Sequence, residues 1–503
     1  MYHQYEQLSQ LKNTKLKNFF GLTIAILLVA SVTANPNFII SAFATGQASI
    51  TICKDATPDH ENDFNFATVG DGLSDFILDD DGDELNDYQS CKQFTVDAFN
   101  TYSFTEGHAD AWFNDDIQCT GTDSSNVTVT PEERKLDVTP QDDEVIICTF
   151  YNSGVAQIII EKQLLGGDGE FNFEISSIFE TIPVTIHTQS DPGPKTSFVD
   201  AGISYSVAEG TLSEFYKFVS VSCLDKEGDP IGVDILQGKS DIFLNPGDEV
   251  TCSFTNQKLG KINVYKFYDL NLNGLKDDTE VFIYGWKIAV DDVHHFTFWG
   301  DYYPVGLHTV KEFLPSQNWI NITPKIVEVD LQGKEIKNVK FGNVCIGKGG
   351  GKTPGFWSNK NGAKEYNGVD NALMVSLNLV KADGSAFDPT GHADFKTWLL
   401  DSNAVNMAYK LSSQLAAMAL NVLNGKVNPN ALIYAPGTDS ANAAGFATVQ
   451  SIINEANASL LSDPYTPSGH PERAYQEALK NALDNANNNL TFLQGAPCKF
   501  SFY

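Results

Sequence analysis

The chain has 503 residues, 64 acidic side chains against 33 lysines and arginines, and a formal charge of −31. Its only arginines are Arg134 and Arg473, so the basic footprint that a nucleic-acid partner needs is missing. The length allows three or four domains with cores of their own, and the 8 cysteines, an even number, suit an oxidising compartment.

Residues 1–44 place Lys12, Lys15 and Lys17 ahead of an apolar run from Phe19 to Ala34. Charge followed by an apolar run is the order of an export signal. Cleavage fits after Ala34, or better after Ala44, where "AFA" supplies the small-residue pattern. The alternative is an uncleaved N-terminal anchor, because the run approaches the length that spans a bilayer. A membrane is an expected partner only in that case. The expected location is secreted or cell-surface, and the closing "PCKFSFY" carries no anchor.

Internal repetition organises residues 46–344. Cys119 and Cys148 stand 29 residues apart, as do Cys223 and Cys252. The second cysteine of each pair lies in nearly the same words, "VIICTFYN" (145–152) and "EVTCSFTN" (249–256). Upstream, "TYSFTEG" (101–107) matches "SYSVAEG" (204–210), and "DFNF" (63–66) matches "EFNF" (170–173). A third copy without these cysteines reads "LHTVKEF" (307–313) and then "NVKFGN" (338–343). Three modules follow, at 46–153, 155–257 and 259–344. Each alternates short stretches of Val, Ile, Phe, Tyr and Thr with Gly-, Asp- and Asn-rich turns such as "LGGDGE". That is the grammar of an all-β sandwich of about a hundred residues. Equal spacing selects Cys119–Cys148 and Cys223–Cys252 as disulfides. Cys53–Cys91 then closes the first module, and Cys345–Cys498 ties the ends of the last domain. Eight cysteines leave many other connectivities open.

Behind the third module stands "GNVCIGKGGGKTPGFW" (342–357). A phosphate-cradling loop ending in Gly351-Lys352-Thr353 needs a glycine at 346, where Ile346 stands, and Pro354 follows at once. In an exported chain with no nucleotide supply, residues 345–354 are expected to be a glycine hinge. Beyond it the period changes. "NMAYKLSSQLAAMALNVLNG" places Ala408, Leu411, Leu415, Met418 and Val422 on one helical face, with Gly425 as a stop. "ERAYQEALKNALDNANNN" does the same with Tyr475, Leu479, Ala482 and Ala486 behind Pro471. Residues 355–503 are therefore read as a separate, mostly α-helical domain.

The repeated words of residues 46–344 resemble prokaryotic surface modules of prealbumin-like fold, the collagen-adhesin B-type and major-pilin-type domains. Residues 259–344, opening "KINVYKFYDLNLNGLKDDTE", resemble the calcium-binding B-type module of serine-aspartate-repeat adhesins. "TPGFWSNKNG" with the two helical stretches resembles a domain of secreted prokaryotic proteins marked by T-P-G-[F/Y]-W. The resemblance implies three prealbumin-like sandwiches in tandem before the helical domain, and stalks, adhesion and matrix rather than turnover. The expected partner is a cell-surface or matrix component, with a glycan as one option.

Asp269, Asn271, Asn273, Gly274 and Glu280 fit D-x-[D/N]-x-[D/N]-G-x5-E without a gap. Calcium takes six or more oxygens from a tightly turning loop. Asp269, Asn271 and Asn273 offer side-chain oxygens, Leu275 its carbonyl, Asp277 a water-mediated contact, and Glu280 a bidentate carboxylate. The alternative is an Asn/Gly-rich hairpin that binds nothing. "DDDGDELND" (79–87) places Asp79, Asp81 and Asp83 alike but has Ser90 where the closing acid belongs, and reads as a solvated turn.

Side chains two apart on a strand share a face. Lys54 is in phase with Ile50 and Ile52, Lys162 with Ile158 and Ile160, and Lys266 with Ile262 and Val264. Glu106, Glu209 and Glu312 are in phase with apolar or aromatic neighbours on the middle strands. Asn152, Asn256 and Asn343 follow Phe150, Phe254 and Phe341 on the closing strands. Each module therefore aims one Lys, one Glu and one Asn at its core. A neutral lysine can attack an asparagine carbonyl that a protonated glutamate polarises, which is the self-formed isopeptide chemistry that the resemblance implies. The alternative is an ion pair at the sandwich rim.

N-x-[S/T] acceptors stand at Asn126, Asn321, Asn457 and Asn489. The 9 histidines form no H-E-x-x-H, and no G-x-S-x-G elbow occurs. The chain is thus expected to be non-catalytic apart from the isopeptides. The alternatives are a secreted hydrolase with its site in 345–503, or a sugar-binding protein that stacks glycans on Phe356, Trp357 and Trp398.

Overall fold

The structure, a computed structural model, describes residues 46–81, 88–121 and 126–502. The leader expected at 1–44 and the tip of the acidic turn 79–87 lie outside the described residues. Three two-layer β-sandwiches are followed by a helical region.

In module 1 one layer holds the opening strand Gln47–Thr57, which pairs in parallel with the first half of Val145–Leu165. The facing layer runs Phe76–Leu78, Phe64–Val69, Tyr102–Glu106, Lys135–Val138 and Val127–Thr130. The period-2 pattern is carried out in burial: Tyr102, Phe104 and Glu106 are buried, and Ser103 and Thr105 only half-buried. Modules 2 and 3 repeat the plan, with facing layers of five and four strands.

The strands do not stop at the module boundaries. Val145–Leu165 closes module 1 and opens module 2. Glu249–Tyr268 closes module 2 and opens module 3, and Ile336–Gly347 closes module 3 and runs on past it. Because each long strand pairs in parallel with the next, their ladders join into one 13-stranded sheet. The glycines at the first two boundaries serve packing. A Cβ on Gly154 would stand 2.7 Å from Pro246, and one on Gly260 2.6 Å from the Gln332 carbonyl.

The third junction corrects the expected hinge. Gly349 and Gly350 donate their N–H groups to Asn489 Oδ1 (3.1 and 2.8 Å), and Asn489 Nδ2 donates to the Gly351 carbonyl (2.7 Å). Side chains at 349, 350 and 351 would strike the Phe492 ring, the Lys426 carbonyl and the Ala486 carbonyl within 2.2 Å. These glycines allow close approach rather than free rotation. Nor is the helical region separate from module 3. Phe492–Leu493 pairs with Ile346–Gly347, Phe446 belongs to the module 3 core around Trp286 and Trp319, and Leu432, Tyr434, Phe500 and Phe502 pack against that core.

At the centre of the helical region lies Met407–Leu423, capped by Asn406. From Met407 to Asn421 every residue except Lys410 is buried, so this helix is surrounded, where its sequence pattern predicted a one-sided face. Its alanines let Val449–Ser462 and Arg473–Asn487 come close. The disulfides are Cys53–Cys91, Cys119–Cys148, Cys223–Cys252 and Cys345–Cys498. The first three join residues directly opposite one another on antiparallel strands. The fourth holds the C-terminal tail against module 3.

Candidate functional site

The parallel pairing of opening and closing strands fixes one geometry three times. Lys54 is opposite Phe150, Lys162 opposite Phe254, and Lys266 opposite Phe341. The asparagine lies two residues further along the closing strand in each case, so the lysine and asparagine are diagonal neighbours on one face. The glutamate reaches them from the facing layer. Glu106, Glu209 and Glu312 sit opposite Phe66, Phe173 and Ile288 of the adjacent strand. Two residues earlier in the chain, Phe64, Phe171 and Trp286 cover the lysine, with Nζ 4.4, 4.5 and 4.8 Å from the ring centres.

In module 2, Lys162 Nζ lies 2.8 Å from Glu209 Oε1, with side chains 0% and 1% exposed. Asn256 Nδ2 donates to the same oxygen at 2.8 Å. Glu209 Oε2 and Asn256 Oδ1 have no hydrogen-bond partner among the described residues. In module 1, Lys54 Nζ is 3.6 Å from Glu106 Oε1 and donates instead to the carbonyls of Phe150 (3.0 Å) and Asp55 (3.2 Å). Asn152 Nδ2 donates to Glu106 at 2.9 Å. In module 3, Lys266 Nζ is 3.2 Å from Glu312 Oε2 and donates to the Phe341 carbonyl at 3.0 Å, and Asn343 Nδ2 donates to Glu312 at 3.1 Å.

Burial disfavours charge on all three lysines. It holds Lys54 and Lys162 below the usual lysine range and brings Lys266 down to about 8, against the pull of the glutamate beside each. Burial likewise pushes the carboxyls of Glu106 and Glu312 up. Each site is buried and gathers an amine and a carboxamide around one carboxyl.

Sequence reasoning missed a fourth residue. Asn114 and Asn321 face Asn152 and Asn343 across antiparallel pairs, and Phe218 holds the corresponding place opposite Asn256. Asn114 Nδ2 donates to Glu106 Oε2 (3.3 Å) and Asn152 Oδ1 (3.0 Å), and Asn321 Nδ2 to Glu312 Oε1 (2.5 Å) and Asn343 Oδ1 (3.5 Å).

A family model described as a prealbumin-like fold domain matches residues 50–154 and again 158–258. Modules 1 and 2 are prealbumin-like fold domains. Among solved structures, the chain is similar to the Bacillus anthracis TIE protein at 15% identity, covering 60% of this chain and 51% of that one, with a TM-score of 0.28. It thus spans about half the length of that protein. The Streptococcus pyogenes major pilin is matched at 16% identity over 43% of this chain and 99% of its own, TM-score 0.17. A Mobiluncus mulieris adhesin containing intramolecular disulfide, isopeptide and ester cross-links is matched at 10% identity over 42% and 99%, TM-score 0.20. No curated protein matches the chain.

Module 3 repeats the plan of the two prealbumin-like modules and adds the acidic loop 269–280. Asp269 is buried and accepts the N–H groups of Asn273 (3.1 Å) and Gly274 (2.8 Å), with Gly274 at φ +78°. Glu280 Oε2 accepts the Asp277 N–H at 3.1 Å, and Asn271 and Asn273 turn their Nδ2 to Asp277 Oδ2 at 2.6 and 2.8 Å. Burial raises the Asp269 carboxyl, and the two asparagine amides hold Asp277 low. Among the described residues no three His, Cys, Asp or Glu side chains group tightly enough to hold a metal by themselves. A cation here would depend on Asn271, Asn273 and the Leu275 carbonyl as well.

Among the glycan acceptors, Asn321 Nδ2 donates to Glu312 and Asn343, and Asn489 Nδ2 donates to the Gly351 carbonyl. Asn126 and Asn457 are half-buried. The alternative of a sugar-stacking platform on Phe356, Trp357 and Trp398 finds no support in where these rings lie. Trp357 and Trp398 are buried and donate their indole N–H to Asn421 Oδ1 (3.1 Å) and the Val380 carbonyl (2.9 Å). The half-buried Phe356 packs against the core they share.

Proposed function

We propose that this chain is an exported cell-surface stalk, structural or adhesive, in which a self-formed isopeptide bond fastens the opening strand to the closing strand. One observation carries the reading: in every module those two strands lie side by side in parallel, with the Lys–Glu–Asn set between them. Tension reaches a module at the start of its opening strand and leaves at the end of its closing strand, which shears this pair. A bond from Lys162 to Asn256 passes the force straight across, and everything between the two residues is spared.

The chemistry balances within the site. Lys162 hands a proton to Glu209, and the neutral amine attacks Asn256 Cγ while the protonated carboxyl polarises the carbonyl. The Nζ–Cγ bond forms and the Cγ–Nδ2 bond breaks. The second proton of the amine reaches the departing nitrogen through Glu209. Ammonia leaves, and Glu209 keeps the proton with which the lysine began. Peptide mass of the reduced, denatured chain should show Lys162 joined to Asn256 with loss of one ammonia. Glu209→Ala should abolish the joined peptide. Wild-type protein that yields only free Lys162 and Asn256 peptides would sink the reading.

We further propose that loop 269–280 takes calcium, with the carboxyls of Asp269 and Glu280, both asparagine oxygens and the Leu275 carbonyl as donors and Asp277 acting through a water. A hard cation would turn the two asparagine amides so that their oxygens face it. A ligand bound only to the folded state adds RT ln(1 + [L]/Kd), about 2.7 kcal/mol at a hundredfold excess over Kd. The transition of module 3 should therefore rise with calcium and fall with chelator, and Asp269→Asn should remove the difference. A folded protein indifferent to millimolar-scale calcium would exclude the site.

A further inference from the structure

We infer that the residue facing the closing-strand asparagine, Asn114, Phe218 or Asn321, decides whether a module cross-links, and that module 2 alone does so. The inference rests on the cross-linking reading above and adds its selectivity. The three positions are equivalent by register, each directly across an antiparallel pair from Asn152, Asn256 or Asn343. Two are amides and one is a phenyl ring.

Reaction requires the proton of the lysine to move to the glutamate, and a proton needs somewhere to sit. In module 1 both glutamate oxygens already receive N–H groups, Oε1 from Asn152 and Oε2 from Asn114. Module 3 is the same, with Asn321 on Oε1 and Asn343 on Oε2. Protonating either carboxyl sets an O–H against an amide donor and loses a hydrogen bond that the carboxylate keeps. The lysines of these modules are also satisfied as ammonium ions, since each donates to a backbone carbonyl of the closing strand at 3.0 Å. The lysine and glutamate polar atoms of these two modules thus all have partners, with Asn114 Oδ1 the one amide atom left over.

Module 2 lacks that closure. Phe218 brings no donor, so Glu209 Oε2 receives no N–H, and Asn256 Oδ1 is likewise without a partner in a buried site, while Lys162 Nζ stands 2.8 Å from Glu209 Oε1. A proton can rest on Oε2 without displacing an amide donor. Lys162 donates to no backbone carbonyl; beneath the Phe171 ring its ammonium is held by Glu209 Oε1 at 2.8 Å, the carboxyl that is to take its proton. Unpartnered buried polar atoms are costly, and forming the bond removes the amine and releases the carboxamide nitrogen.

The test is peptide-level mass spectrometry of the full chain, with the Cys119–Cys148 and Cys223–Cys252 linkages mapped without reductant as a check on folding. Wild type should show one ammonia lost, at Lys162–Asn256, and intact Lys54, Asn152, Lys266 and Asn343. Asn114→Leu, close in shape, should add a second loss at Lys54–Asn152. Phe218→Asn should reduce the cross-linked fraction of module 2 from complete to minor. Should Phe218→Asn fail to fold, the Asn114→Leu arm still decides. Ammonia loss in modules 1 or 3 of the wild type, or a folded Asn114→Leu protein without the second loss, overturns the gating while leaving cross-linking itself intact. No loss anywhere in the wild type overturns cross-linking, and the gating falls with it.

Discussion

Alanine in place of Trp357 should unfold the helical region at a denaturant concentration that leaves the wild type intact, a loss of about 3–5 kcal/mol from the cavity alone. The indole is fully buried against the central helix, and its N–H is bound to Asn421 Oδ1 at 3.1 Å. Asn421 in turn donates to the Lys352 carbonyl and to Asn487, both at 2.9 Å, and Asn487 donates to the Gln414 backbone and side chain. Removing the indole strands the Asn421 oxygen, for roughly a further 1–3 kcal/mol. Against a typical domain stability of about 5–15 kcal/mol, that is most of what holds the region together. Phe356→Ala, on a half-buried neighbour, should cost clearly less. Urea unfolding followed by helical circular dichroism measures both, and equal midpoints for Trp357→Ala and wild type would refute the account. The words "TPGFW" therefore encode a joint. Thr353 caps the short helix, Pro354 starts it, and Trp357 pins it to the bundle.

Why the sequence revealed some of this and hid the rest is a matter of which contacts are local. Strand parity put Lys162, Glu209 and Asn256 on the core face because alternation is a property of one strand at a time, and repetition of the words marked the strands as equivalent. The aromatic covers stood in the repeated words too, Phe64 in "DFNF" and Phe171 in "EFNF". Asn114 and Phe218 were hidden because each lies beside a register irregularity, between Asn114 and Asp116 and between Phe218 and Ser220. There, counting by twos no longer tells which way a side chain points. The glycines of the third junction misled for a related reason. Composition records that Gly154, Gly260 and Gly349 to Gly351 lack a Cβ. What the missing Cβ would have struck is a tertiary fact: Pro246, the Gln332 carbonyl, and the Phe492 ring among them. Hinge and close approach look identical in one dimension.

Module 3 should become more stable as pH rises from about 8 toward 10, the reverse of ordinary alkaline behaviour. Burial draws the Lys266 ammonium from its unfolded value of 10.5 down to about 8, with Glu312 and Asp269 opposing. Below the folded value both states hold the proton and the folded one bears the whole penalty, roughly 3 kcal/mol. Between the two values the unfolded chain binds more protons, so stability climbs with pH. Tyr268 and Tyr303, whose phenols burial pushes up from 10.0, act oppositely above that pH, so the comparison is read below it. Lys266→Met should erase the climb. It should also cost about 3–5 kcal/mol near neutrality, because Glu312 is left charged and buried without its cation. That cost should shrink as acid protonates Glu312, whose carboxyl burial has raised above 4.5. In the double variant Lys266→Met, Glu312→Gln the buried charges are gone together, and most of the stability should return. Urea midpoints followed by tryptophan fluorescence report the module, since Trp286 and Trp319 lie in its core. A wild type with flat stability from pH 8 to 9.5 would show that Lys266 does not titrate there. That result is what a covalent Lys266–Asn343 bond would produce, so the same titration checks, without mass spectrometry, whether Asn321 keeps module 3 open.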